Sequence, residues 1–315
     1  MRRPIPSQHR IAITGGRGRL AGLVAAFLRE RGFEVTLFSR VGSDEFCALE
    51  ELLQSSAMAE YRAILHMAWS SVPFTSEQDP GCEEREDLPL LKKILLTLSS
   101  LNSNSLEDLI TSNAESPVTT LAFPRLIFLS SASVYGNTSE IAVTETSSCQ
   151  PLSGYARAKL AAEKIIFEDA ALHSSFNALI LRVSNVIGFS SDPKRPQGIL
   201  PRIFAAAREK QALEIWGDGC CSKDYLWIDD FLTALEAAIT EPIRGIFNIA
   251  SGQNFSISDL VLLVEQSCKS HVNVTYRPRY AWDVAIAHID ATAFSKATGW
   301  CAKVNVEKAI KEGKK

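Results

Sequence analysis

Tyr155 and Lys159 lie four residues apart in the segment Tyr155-Ala156-Arg157-Ala158-Lys159. On a helix that spacing puts both side chains on one face. A nearby ammonium favours phenolate over phenol, so it lowers a tyrosine pKa toward a working range. A tyrosine tuned in this way can exchange a proton with a sugar hydroxyl while a hydride leaves or joins the same carbon. Upstream, Leu126-Ile127-Phe128-Leu129-Ser130-Ser131-Ala132-Ser133-Val134-Tyr135-Gly136 reads as a buried strand that ends in a hydroxyl cluster. The carboxyl edge of a parallel sheet, where doubly wound folds place their ligands, would receive that cluster. A Tyr/Lys pair on a solvated helix and serines at a strand end are each common. Their order along the chain is the distinguishing feature: a glycine turn, then Ser131, then Tyr155 twenty-four residues later, then Lys159.

The elements that must position these groups begin with the glycine turn. Ile11-Ala12-Ile13-Thr14-Gly15-Gly16-Arg17-Gly18-Arg19-Leu20-Ala21-Gly22 is a short β-branched run, a tight turn and the start of an apolar helix. Free backbone N–H groups and the positive end of the helix dipole there would face a phosphate. Gly15 and Gly18 permit the turn and a close approach, and Ala21 is small enough for the helix to pack on the sheet. Strand and helix patterns then alternate. Strands are expected at Ile11–Thr14, Glu34–Phe38, Ala63–Met67, Leu126–Ser130, Ala178–Val183 and Ile246–Ile249. Helices are expected at Gly22–Arg31, Asp87–Leu101, Gly154–Ala170, Leu200–Lys210, Asp229–Ile239 and Ser256–Cys268. That alternation predicts an α/β fold with a doubly wound parallel sheet. The Ser/Asn-rich stretch 99–118 is longer than a compact connection needs and is read as a surface insertion, with a short helix at Leu106–Thr111.

Composition limits the function classes. Among 315 residues, 46% are apolar and 22% charged, and the net charge is −3. This is the profile of an ordinary soluble enzyme and argues against a nucleic-acid or membrane surface. The seven cysteines form no Cys-x-x-Cys pair and the five histidines are scattered, so no metal site is expected and reduced thiols in a cytoplasm fit best. Arg2-Arg3 is not followed by a long apolar segment, so neither a signal peptide nor a membrane span is expected.

At these motifs the chain resembles the extended short-chain dehydrogenase/reductases of the NAD-dependent epimerase/dehydratase type. The resemblance runs from Ile11 to about Ile310. Ile64-Leu65-His66-Met67-Ala68, Arg182-Val183-Ser184-Asn185-Val186-Ile187-Gly188, Trp216-Gly217-Asp218-Gly219, Lys223-Asp224-Tyr225 with Asp229-Asp230, Phe247–Gly252 and Thr298-Gly299-Trp300 all look like family segments. The resemblance implies a Rossmann domain over 1–187, to which a strand and helix near 223–250 return, and a smaller α/β substrate lobe over 188–315. It implies Ser131, Tyr155 and Lys159 as the catalytic triad. Gly15, Gly18, Arg19, Leu20, Ser39, Arg40, Met67, Ala68, Tyr155, Lys159 and Val183 would contact the dinucleotide. Ser131, Ser133, Asn185, Lys223 and Arg279 would face a nucleoside-diphosphate sugar. A homodimer through two long helices is the family habit. Three positions depart from the pattern: Lys223 replaces the usual arginine, Arg279 lies four residues before Asp283 rather than three, and the usual helix asparagine is not evident near Asp87.

Cofactor and reaction follow from two short stretches. NAD sites usually carry an acid at the end of the second strand, about twenty residues past the glycine turn. Here Ser39-Arg40 stands there. Arg40 could pair with a 2′-phosphate, with Arg17 and Arg19 adding positive field, so NADP is favoured and NAD is the alternative. Sugar 4,6-dehydratases of this family carry an Asp-Glu pair among the residues before Tyr135, whereas this chain has Ala132-Ser133. The favoured expectation is an NADPH-dependent 4-ketoreductase. The alternative is a 4-epimerase with retained NAD. A silent dinucleotide sensor is the third reading, weakened because Tyr155 and Lys159 are both present.

Overall fold

The computed structural model describes residues 9–111, 124–138, 141–172, 177–189 and 198–313. The chain forms two compact units. The first comprises residues 1–130, 157–181 and 238–246; the second comprises 131–156, 182–237 and 247–315.

The first unit is built on a seven-stranded parallel sheet in the order Gly245–Ile249, Ala178–Val183, Arg125–Ser131, Ala63–His66, Arg10–Thr14, Glu34–Ser39, Cys47–Ala48. The fold is therefore the doubly wound Rossmann type. Strand order reverses on either side of Arg10–Thr14, and the crevice at that switch point is where such sheets bind ligands. The register pairs Thr14 with Phe38 on one side and with His66 on the other. All six expected strands form, because β-branched runs such as Ile11-Ala12-Ile13 are fully buried and suit strands covered on both faces.

The helices correct the sequence reading in two places. The first helix spans Arg19–Glu30 and so begins at Arg19 rather than Gly22, with Gly18 as its N-cap. The helix expected at Asp87–Leu101 spans Cys82–Thr111. Leu91, Ile94, Leu95, Leu98 and Leu101 form one stripe in the core with Ile64, Leu126 and Phe128. Residues 99–111 contain no glycine or proline, and serine and asparagine weaken a helix without ending it. The start of the expected surface insertion thus continues the helix as one element, without a separate short helix at Leu106–Thr111; residues 112–118 lie outside the described residues.

The second unit holds strands that the sequence reading did not assign. Ser222–Trp227 pairs with Asn254–Ser256 antiparallel and with Ile286–Ala287 and Asn185–Ile187 in parallel. Leu213–Trp216 pairs with Val274–Arg277. The strand at Ser222–Trp227 thus belongs to this unit's sheet, and of the stretch 223–250 only Gly245–Ile249 joins the seven-stranded sheet. These strands are two to six residues long, too short to show a period against the helices beside them.

Candidate active site

Within the first unit, the glycine turn is constrained as its sequence requires. Gly15 has φ +76°, and a Cβ placed on it would lie 2.8 Å from the Ala68 backbone. The Gly18 N–H donates to the Gly15 carbonyl at 2.8 Å. No side chain caps the helix at Gly18 and its first turn carries no acid. The helix start therefore offers positive backbone potential without a competing carboxylate. Gly15→Ala is expected to lower the melting temperature, since a left-handed conformation alone costs an L-residue about 1–2 kcal/mol and the Cβ also meets backbone. Thermal unfolding, with NADH titration beside it, checks this. An unchanged melting temperature with intact titration would contradict it.

Gly15, Gly18, Ser39, Arg40, Met67 and Ala68, six of the expected dinucleotide contacts, line one cavity of about 410 Å³ together with Arg17, Trp69 and Asp87. Arg19 and Leu20 form the first turn of the adjoining helix. Val183 ends the strand Ala178–Val183 and is 9% exposed. Thr14 ties the turn to the strand at Ala63–His66: its Oγ1 contacts His66 Nδ1 at 2.8 Å and accepts the Ala68 N–H at 3.2 Å. Burial pushes the His66 pKa down to about 3, with Lys159 adding to the effect, so the ring is neutral.

Arg40 differs from expectation. Its guanidinium pairs with the Glu86 carboxylate on the helix Cys82–Thr111. Its charge is met by a carboxylate on another element of the first unit. The neighbouring Asp87 is buried, and its carboxylate accepts from the Ser70 N–H at 2.9 Å and the Ser70 hydroxyl at 2.6 Å. Burial raises the Asp87 pKa against those bonds, with Lys159 and Arg40 acting the other way.

Lys159 is 4% exposed. Its Nζ donates to the Leu129 carbonyl at 2.8 Å and sits 3.7 Å from the centre of the Trp69 ring and 4.7 Å from that of Phe128. Desolvation pulls its pKa down to about 7, opposed by Asp87 and Glu163. Trp69, which the sequence reading passed over, is the aromatic face that holds this ammonium by a cation–π contact. Its only signal was its place directly after the third-strand element.

Tyr155 is half-buried one turn before Lys159 on the helix Gly154–Leu172. The helix starts there because the Ser153 hydroxyl accepts the Ala156 N–H at 3.1 Å as an N-cap. In the second unit, Ser131 Oγ accepts from the Ser133 N–H at 3.2 Å and from the Ser133 hydroxyl at 2.9 Å. A hydroxyl oxygen has two acceptor positions. Both are taken, which leaves the Ser131 proton to be donated elsewhere.

The three remaining expected substrate contacts are not held alike. Asn185 Nδ2 donates to the Asp224 carbonyl at 2.9 Å, so it joins two strands. Lys223 Nζ pairs with Asp283 at 2.9 Å, both about a quarter exposed, so its charge is compensated within the second unit. Arg279 is exposed and lies along Gly217, whose φ is +94°. Among the described residues, no group of three or more histidines, cysteines or acids is placed to hold a metal, and no helix is long and apolar enough to cross a membrane.

The doubly wound sheet and the cradle at its switch point define a dinucleotide-type fold. The sequence profile of the NAD dependent epimerase/dehydratase family matches residues 11–250, and the chain belongs to that family. Among curated relatives, UDP-arabinose 4-epimerase 1 from Arabidopsis thaliana is 26% identical, over 95% of this chain and 76% of its own length. UDP-glucose 4-epimerase GEPI42 from Cyamopsis tetragonoloba is 23% identical, over 96% and 92%. Among solved structures, the UDP-glucose 4-epimerase of Thermotoga maritima with UDP-glucose superposes with a TM-score of 0.79 at 21% identity, covering 96% of each chain. MoeE5 in complex with UDP-glucuronic acid and NAD gives 0.81 at 20%, again over 96% of each. At such identities these structures share the fold.

Proposed function

We propose that this protein is a nucleoside-diphosphate-sugar 4-epimerase that retains NAD through its cycle. The observation that carries the reading is the family match joined to near full-length relatives named as UDP-sugar 4-epimerases. The expectation of an NADPH-dependent 4-ketoreductase rested on a vacant Arg40; the Arg40–Glu86 pair removes that support. Ala132-Ser133, where the family's 4,6-dehydratases carry acids, also supports a reaction without loss of water.

The cradle fits a dinucleotide. Gly15 leaves open the space that a Cβ would fill, and the helix start beyond Gly18 suits a pyrophosphate. Bound there, the nicotinamide would accept the C4 hydride and return it to the other face. Tyr155 takes the proton of the 4-hydroxyl as the hydride leaves and gives it back as the hydride returns. Ser131, keeping its proton, donates a hydrogen bond to the same oxygen. Lys159 holds the Tyr155 phenolate by its charge. Asn185, Lys223 and Arg279 are assigned to the nucleotide end of the substrate, with the second unit as the substrate lobe and Asp283 as the group Lys223 must share. A homodimer and a cytoplasmic location accompany this reading; sedimentation velocity and cell fractionation test them.

The deciding experiment offers a UDP-hexose without added cofactor, and separately a nucleoside-diphosphate 4-keto-6-deoxysugar with NADPH. Interconversion of C4 epimers in the first mixture, with no net change in nicotinamide absorbance, is the expected outcome. An epimerase must hand back the hydride it took, so its redox cycle closes on one cofactor. Stoichiometric loss of NADPH in the second mixture, with the first unchanged, would restore the reductase.

A further inference from the structure

We infer that Glu86 sets the cofactor preference of this chain: by occupying Arg40 it supplies, from a different element, the acid that is missing at the end of the second strand, and so selects the dinucleotide with a free adenosine 2′-hydroxyl. The inference rests on reading the Gly15–Gly18 cavity as the dinucleotide site.

The end of the second strand, where such an acid usually binds the adenosine ribose, carries no carboxylate. Ser39 is buried, and its hydroxyl turns back to the Val41 carbonyl at 2.5 Å. Arg40 follows, with its side chain 65% exposed and its guanidinium on Glu86, forty-six residues along the chain. Asp87, the next residue on the same helix, lines the cavity and feels the Arg40 charge. The other cation in the cavity wall, Arg17, reaches the Val41 carbonyl at 3.3 Å and lies over the Phe46 ring.

Arg40 is thus matched by the Glu86 carboxylate, while Arg17 is held by a carbonyl and a ring face. A 2′-phosphate approaching Arg40 meets a carboxylate already in place and must displace it or lie beside it, and like charges at that range repel. A free 2′-hydroxyl brings no charge and meets no such repulsion. As a stability element an exposed ion pair of this kind contributes little. Its consequence lies in where the charge is placed, because an arginine is the usual fork for a phosphate and this one is already taken.

The test uses protein freed of bound nucleotide and measures dissociation constants for NADH and NADPH by nicotinamide fluorescence. The proteins compared are the natural protein, Glu86→Gln, Arg40→Ala and the double variant. The natural protein is expected to favour NADH by at least about tenfold, equal to 1.4 kcal/mol. Glu86→Gln is expected to tighten NADPH by about tenfold or more while NADH changes by less than about threefold, a selectivity swing again of one 1.4 kcal/mol step. The double variant should lose that gain, because the freed Arg40 is its cause. Equal shifts for both cofactors, no shift, a gain that survives Arg40→Ala, or a natural preference for NADPH would each overturn the assignment while leaving the cavity a dinucleotide site. A natural protein that binds neither cofactor would overturn the dinucleotide reading itself, and this assignment with it. Glu86 is exposed on its helix, so matching thermal melts establish that any change reports binding rather than folding.

Discussion

Replacing Tyr155 by phenylalanine is expected to lower turnover by about 10²–10⁴, the usual scale for removing a general acid–base group, while NADH binding is retained. The substitution keeps the ring and deletes the hydroxyl. Tyr155 is half-buried at the start of the helix Gly154–Leu172, and the Ser153 hydroxyl caps that start. The fold should therefore survive. Turnover measured as C4 epimer formation, beside cofactor titration, separates the two effects. If the variant turns over at near the natural rate, another group moves the proton and the assignment of Tyr155 fails.

Lys159→Met is expected to act on three readouts at once. Turnover should fall by about 10² or more, because the tyrosine loses the charge that favours its phenolate. Cofactor binding should weaken, because in the proposed site the ammonium also faces the nicotinamide ribose. The pH dependence of stability should change as well. Lys159 has a folded-state pKa of about 7, pulled down from 10.5 by desolvation. Between those values the unfolded chain binds the proton and the folded chain does not, so stability rises with pH across that window. Below it both states are protonated and the burial penalty is constant. One proton of difference amounts to about 1.4 kcal/mol per pH unit. In cofactor-free protein, unfolding free energy measured from pH 6 to 10 should rise less steeply in Lys159→Met than in the natural protein. Parallel curves would show that the ammonium is not desolvated as its place against Trp69 and Phe128 implies.

The parts of the fold legible in sequence are those written in local pattern. The glycine turn, six of the seven strands of the large sheet and the Tyr155/Lys159 helix each rest on a period or a breaker within a dozen residues; the two-residue strand Cys47–Ala48 does not. The helix Cys82–Thr111 exposed the limit of that reading. Its second half lacks a strong apolar period, so the Ser/Asn-rich composition pointed to a loop, yet nothing in it breaks a helix already propagating from the Leu91–Leu101 stripe. The short strands of the second unit were missed for a related reason: with two to six residues each, they are specified by the neighbours they pair with.

The same division runs through the candidate site. The order Gly15, Gly18, Ser131, Tyr155, Lys159 was set by sequence alone, since residue type and spacing decide which groups stand on one helix face or end one strand. Which charges meet was decided only by tertiary structure. Arg40 read as a phosphate fork until Glu86 was found on it. Lys223, expected to face the substrate, is paired with Asp283, sixty residues on. His66 became a neutral partner of Thr14 across fifty-two residues, and Lys159 acquired a lowered pKa from burial against Trp69 and Phe128. Propensity and periodicity act over a turn or a strand, whereas the field at a charged group is set by whatever the fold brings within a few ångströms, and one-dimensional spacing does not encode that distance.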